Sequence, residues 1–270
     1  MRLRVFLCLL FCFVTPAWAS APQRVVSLNL CTDLLILELL PRHRIMAVTE
    51  LAVDPVYSVA AGRAQGLPIV DQDLESILSF KPDLVLATGF SDPYTVQRLG
   101  DMGVPVVQLE IPTTVDGTSV FIMAVAEALG ESAAGARLNQ QFRARWQQLG
   151  EQAAQRTPQR VLLYRPGGVT MGSGTLEDTV LQQAGLINVA ADMGLQQWAQ
   201  LSLESVLQAR PDVLLLDDDG RHSDSLAQGM GRHPALRAAG IPTRTFSHRN
   251  WICPGPALTD AVAVLMDVGS

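Results

Sequence analysis

Short aliphatic runs recur along this chain, separated by longer stretches in which apolar residues return every three or four positions. In the first half the runs are Val25–Leu28, Ile45–Val48, Leu84–Ala87 and Val104–Leu109. In the second half Val161–Tyr164 and Val213–Leu216 match them, and Thr243–Phe246, although it holds Arg244, is read as a third strand. The uninterrupted apolar runs Leu84–Ala87 and Val213–Leu216 suit strands buried on both faces of a parallel sheet. Their alternation with helical segments predicts βα units in each half. Between the halves, Val115–Leu129 and Glu131–Arg156 are built mostly of good helix formers, with Gly130 as an interruption. Leu138, Phe142, Arg145, Trp146 and Leu149 share one helical face there, and Thr157-Pro158 ends the segment. The second stretch, roughly 24 helical residues, would span about 36 Å and space two lobes stiffly.

The chain also repeats itself. Leu74-Glu75-Ser76-Ile77-Leu78-Ser79-Phe80-Lys81-Pro82-Asp83-Leu84-Val85-Leu86 matches Leu203-Glu204-Ser205-Val206-Leu207-Gln208-Ala209-Arg210-Pro211-Asp212-Val213-Leu214-Leu215 at seven of thirteen positions. Each copy reads as a short helix stopped by proline and followed by a buried strand. Shorter echoes occur in the same order: Arg24–Leu28 with Arg160–Tyr164, and Met102–Pro105 with Ala239–Pro242. An offset of 129 residues is far longer than a solenoid repeat and implies two lobes of one topology. The predicted fold is therefore α/β: two similar lobes with parallel-rich central sheets, joined by one long α-helix, with a ligand cleft between them. The expected boundaries are 20–113 for the first lobe, 114–157 for the helical connector and 158–270 for the second lobe.

Residues 1–19 read differently. Arg2 and Arg4 precede an apolar run from Val5 to Val14, and Ala17-Trp18-Ala19 offers a small-x-small cleavage pattern. This is the layout of a secretory signal peptide, and the run is too short to span a bilayer. Its removal would take Cys8 and Cys12, leaving Cys31 and Cys253 in an exported chain. Those two can pair across the lobes, line the site as thiols, or sit inert. The formal net charge of −6 argues against nucleic acid as a partner, because phosphate binding needs a basic face.

In open parallel sheets, ligands lie beyond the carboxyl ends of the strands. The loops there carry Asn29 and Cys31 after the first strand and Tyr94 after the third; Arg165 follows the first strand of the second lobe, and Arg249 and Trp251 follow its last. Trp198 precedes the second repeat helix. Both tryptophans sit among polar neighbours and suit stacking on a ligand, or covering of a loop. Arg165 and Arg249 could meet an anionic ligand or form surface ion pairs. His222, His233 and His248 lack metal-ligand spacing, so neither a protein-bound metal nor a cofactor is expected. The Gly172-Ser173-Gly174 turn is half of a phosphate loop, with Glu177 where a third glycine would stand. No nucleophile elbow, zinc-protease helix or Cys-x-x-Cys pair is present, and nothing in the chain asks for catalysis. Glu75 and Glu204 occupy the same place in the two copies. They are either ordinary acids at helix N-termini or a two-pronged contact for a basic, roughly two-fold partner.

The Arg-Val-Val-Ser-Leu opening, the two Leu-Glu-Ser-x-Leu-x-x-(Lys/Arg)-Pro-Asp units and the single long helix together resemble the helical-backbone class of periplasmic substrate-binding proteins. The resemblance runs from about Arg24 to Val268. It implies a monomeric periplasmic protein, not an enzyme, that captures a ferric siderophore, another iron complex or cobalamin. The cargo would pass to an inner-membrane ABC importer, with Glu75 and Glu204 docking on the permease dimer. Trp198, in Trp-Ala-Gln-Leu-Ser, is similar to a cleft tryptophan of the cobalamin-binding member, whose first-lobe tryptophan has no counterpart in Leu67–Gln72. The resemblance implies Trp198, Trp251, Arg165, Arg249 and Tyr94 as ligand contacts; Asn29 and Cys31 join the expected set from their place in the loop after the first strand, and Cys31 matches neither the cobalamin nor the siderophore pattern. The competing expectation is an exported tetrapyrrole- or metal-cofactor-processing enzyme on the same two-lobe fold.

Overall fold

The structure, a computed structural model, describes residues 21–217 and 233–269. The expected signal peptide and His222 lie outside these residues. The first lobe runs β1 (Val25–Ser27), α1 (Leu30–Leu39), β2 (Ile45–Ala47), α2 (Glu50–Val53), α3 (Ala61–Ala64), α4 (Leu74–Ser79), β3 (Leu84–Thr88), α5 (Pro93–Asp101) and β4 (Val106–Leu109). Two helices follow, α6 (Val115–Ala128) and α7 (Ser132–Ala153). The second lobe runs β5 (Arg160–Tyr164), β6 (Val169–Met171), α8 (Leu176–Gln183), β7 (Ile187–Asn188), α9 (Val189–Asp192), β8 (Trp198–Gln200), α10 (Leu203–Ala209), β9 (Val213–Asp217), α11 (Pro234–Ala238), β10 (Thr243–Phe246) and α12 (Ala257–Met266).

Both four-stranded sheets are parallel, in the orders β2-β1-β3-β4 and β7-β5-β9-β10. The orders superpose term for term, so the sequence repeat is a repeat of topology. Strand residues alternate between cores as the pleat requires. Val25, Leu84 and Leu86 face one hydrophobic cluster while Val26, Val85 and Ala87 face another. Val161, Leu163 and Leu215 share the first cluster, whereas Leu162, Tyr164 and Leu214 face a third. The inner faces of both sheets thus belong to one continuous core, completed by Phe121 and Ile122 of α6, Phe142, Trp146 and Leu149 of α7, and Leu258 and Val262 of α12.

The repeated segment does the same work twice. Asp73 and Ser202 cap α4 and α10 by accepting from the backbone N–H groups of Ser76 and Ser205. Proline then drives the residue before it out of right-handed helix geometry, and Lys81 (φ 49°) and Arg210 (φ 43°) both become left-handed. Asp83 accepts the N–H of Arg24 at 2.8 Å, and Asp212 accepts that of Arg160 at 2.8 Å, pinning the first strand of each lobe.

The 22-residue α7 carries the chain from one lobe to the other. Gly135 lets it cross α6 closely: a Cβ there would lie 2.2 Å from Ala126 Cβ. At its start, the buried Arg44 of the first lobe donates to Leu129 O at 2.7 Å and pairs with Glu131. Near its end, Gln183 of α8 donates to Trp146 O at 2.6 Å. No described helix is long and apolar enough to cross a membrane.

Candidate functional site

A cleft of about 700 Å³ opens between the lobes at the carboxyl ends of the strands. Its first-lobe wall comes from Asn29–Cys31 after β1, Gly89 and Phe90 after β3, and Glu110–Thr113 after β4. Its second-lobe wall comes from Arg165 after β5, Thr175–Glu177 at the start of α8, Gln197 and Trp198 at β8, and the loop holding His248 and Trp251–Cys253. Most of this surface is apolar, with a few convergent polar groups, the usual make-up of a small-molecule site.

Trp198 is 71% exposed and faces the cleft on the antiparallel β6–β8 pair. The half phosphate loop serves that strand pair instead of an anion. Gly172 N–H donates to Gln197 O at 2.8 Å and Ser173 N–H to Leu195 O at 2.9 Å. A Cβ at Gly172 would lie 2.2 Å from Leu195 O, so only glycine permits this approach. Gln197 holds a left-handed backbone (φ 51°) immediately before the tryptophan, and its side chain donates to Gly174 O at 3.1 Å. Strain of this kind at a ligand face is what a locally over-determined site tolerates.

The other expected residues are placed unevenly. Asn29 lines the cleft while its Oδ1 accepts the Cys31 N–H at 2.9 Å, capping α1. Arg165 lines it too, paired at 3.1 Å with Glu177. Cys31 and Cys253 both line it and are joined as a disulfide, Cα to Cα 5.1 Å, so neither offers a thiol. Trp251 reaches the cleft but is 1% exposed, its ring 4.4 Å from that of Phe246, and it presents no open stacking face. Arg249 and Tyr94 are not among the lining residues. Arg249 donates across the lobes to Pro55 O at 3.0 Å, and Tyr94 is solvent-exposed at the start of α5. Phe90, 77% exposed on the wall opposite Trp198, was not expected as a contact, nor was Glu110. Glu75 and Glu204 are exposed in the first turns of α4 and α10. Among the described residues no group of three or more His, Cys, Asp or Glu could hold a metal ion.

Below the cleft, Asp33 of α1 is fully buried and accepts from the Thr49 backbone N–H and hydroxyl. Burial pushes its carboxyl from 3.8 up to about 7, against the opposing hydrogen bonds from Ser27 and Thr49.

Comparison with known proteins places this geometry. The chain is 27% identical over 215 residues to a cobalamin-binding protein of Halobacterium salinarum, covering 78% of this chain and 58% of that one. It is 25% identical over 214 residues to a vitamin B12-binding protein of Vibrio cholerae, covering 77% of this chain and 76% of that one. Among solved structures, the periplasmic heme-binding protein RhuT from Roseiflexus sp. RS-1, in its apo form, superposes with a TM-score of 0.78 at 29% identity. That superposition covers 92% of this chain and 99% of the other. The relatives named are binding proteins, and none is an enzyme. The profile described as Periplasmic binding protein matches residues 25–241, most of both lobes, and on that match the chain belongs to the periplasmic binding protein family.

Proposed function

We propose that this protein is exported through an N-terminal signal peptide, captures a metal chelate in the inter-lobe cleft, and delivers it to an inner-membrane ABC importer. The cargo is a ferric siderophore, another iron complex or cobalamin. Capture needs no chemistry from the protein. It needs a largely pre-formed, mainly apolar cavity with rigid aromatic faces, and the exposure of Trp198 beside a 700 Å³ cleft is the observation that carries this reading. Phe90 supplies a second open aromatic face from the other lobe. Delivery falls to Glu75 and Glu204, equivalent exposed acids, one per lobe, which suit a roughly two-fold basic partner. The protein works as a monomer bearing both prongs. The ligands of these relatives, cobalamin and heme, are both large metal-centred macrocycles.

The test is titration of the mature protein with cyanocobalamin, haemin and ferric siderophores, read by tryptophan fluorescence. At least one should bind with a micromolar or tighter Kd, about −8 kcal/mol. Quenching should be largely lost in Trp198→Phe and retained in Trp251→Phe. Failure of every ligand to bind, or undiminished quenching in Trp198→Phe, would overturn the proposal.

A further inference from the structure

The charge that the cleft accepts is governed by three side chains. Glu110, directly after β4, stands over Gly89: a Cβ built on that glycine would lie 3.7 Å from Glu110 Oε2. Glu110 and the exposed Phe90 both line the cleft on this wall. Glu110 is itself exposed and makes no hydrogen bond or ion pair with a described residue. On the facing wall, Arg165 is the guanidinium among the described lining residues, and its Nη2 lies 3.1 Å from Glu177 Oε1. The two side chains are only 15% and 10% exposed. An anion seeking Arg165 must either displace Glu177, stranding a buried carboxylate, or lie against it. The pair is neutral as a unit, so Glu110 leaves the described lining with a net negative charge.

We infer that the cleft selects by charge: it takes cargo that is uncharged or cationic, with N–H donors on the edge meeting Glu110, and disfavours polyanionic chelates. The inference rests on the reading that this cleft holds the cargo. Glu110 is then a specificity-determining residue, accepting from the ligand's amide or ammonium groups, while Arg165 serves to neutralise Glu177. Two sources carry the required chemistry: a corrinoid rimmed with carboxamides, and an iron(III) hydroxamate bearing a free ammonium.

Four probes separate the outcomes on the mature chain: cyanocobalamin, uncharged and rich in carboxamides; ferrioxamine B, with one ammonium; haemin, with two carboxylates; and ferric enterobactin, triply negative. At least one of the first pair should bind about tenfold or more tighter than either of the second pair. Which of the two binds identifies the source. Glu110→Gln should weaken ferrioxamine B, if that binds, by roughly three- to tenfold, and should strengthen haemin relative to the wild type. Glu110 is exposed, so the variant should melt like the wild type, and Glu110→Asp should retain the wild-type order. Tightest binding of haemin or ferric enterobactin to the wild type would overturn the inference while leaving the capture reading intact. An unchanged order of affinities and unchanged salt dependence in Glu110→Gln would also overturn it. Failure of all four probes to bind would remove the capture reading and the inference together.

Discussion

Asp33 holds its position by burial, and that has a measurable cost. Its carboxyl titrates near 7 in the folded chain against 3.8 for an ordinary aspartate. Between those values the folded state keeps a proton that the unfolded state releases. The contribution to stability is therefore complete below about pH 4 and is lost as the pH rises towards 7, by an amount on the order of 4 kcal/mol. Urea denaturation of the wild type should show this decline, and Asp33→Asn should flatten it; equal slopes in the two proteins would contradict the assignment. The aromatic residues show what single positions reveal in advance. Tyr94 and Trp251 fall in loops after strands and Trp198 just before the second repeat helix, all candidate ligand contacts that sequence ranks alike. Only packing separates them: Trp251 is covered by Phe246, Tyr94 stands outside the cleft, and Trp198 is held open by the turn at Gln197. Phe90 sits in the loop already singled out, but nothing in a loop sequence says which ring will face the cavity.

At the scale of elements, the buried strands and both connector helices were legible because burial on two faces and helical periodicity leave strong patterns. The short pieces were not. β6 and β8 have three residues each and β7 has two, too few for any period to register, and the long-range β6–β8 pairing rests on close backbone approach at Gly172. The repeated Pro-Asp units were visible as identity, but the task of Asp83 and Asp212, anchoring the start of the neighbouring parallel strand, is a long-range contact. The crossing of α6 and α7 gives a prediction at this scale. Gly135→Ala places a methyl 2.2 Å from Ala126 Cβ and should destabilise the protein by about 1–3 kcal/mol in chemical denaturation. Replacement without loss would mean that the helices separate freely.

At the scale of the whole molecule, the lobes are tied at several points besides α7. Cys31 and Cys253 are bonded across the cleft floor, the Tyr57 and His248 rings meet edge-on at 5.1 Å, Arg249 donates to Pro55 O, and Thr179 Oγ1 donates to Thr113 O at 2.7 Å. With a continuous core beneath them, these ties leave little room for hinge closure, so recognition must rest on a cleft shaped in advance. The disulfide joins residues 222 apart, a separation that carries no spacing signal in sequence. Cys31→Ser with Cys253→Ser should lower stability by about 2–5 kcal/mol, because a very long loop is then free in the unfolded chain. Equal midpoints in urea would show that the bond carries no such constraint. Capture and delivery are separable, and one measurement separates them: uptake of the bound ligand by cells in which Glu75→Arg with Glu204→Arg replaces the wild type, alongside Kd for the purified variant. The account predicts that uptake is abolished while affinity stays within about twofold, since neither acid lines the cleft. Wild-type uptake by a correctly folded double variant would contradict it.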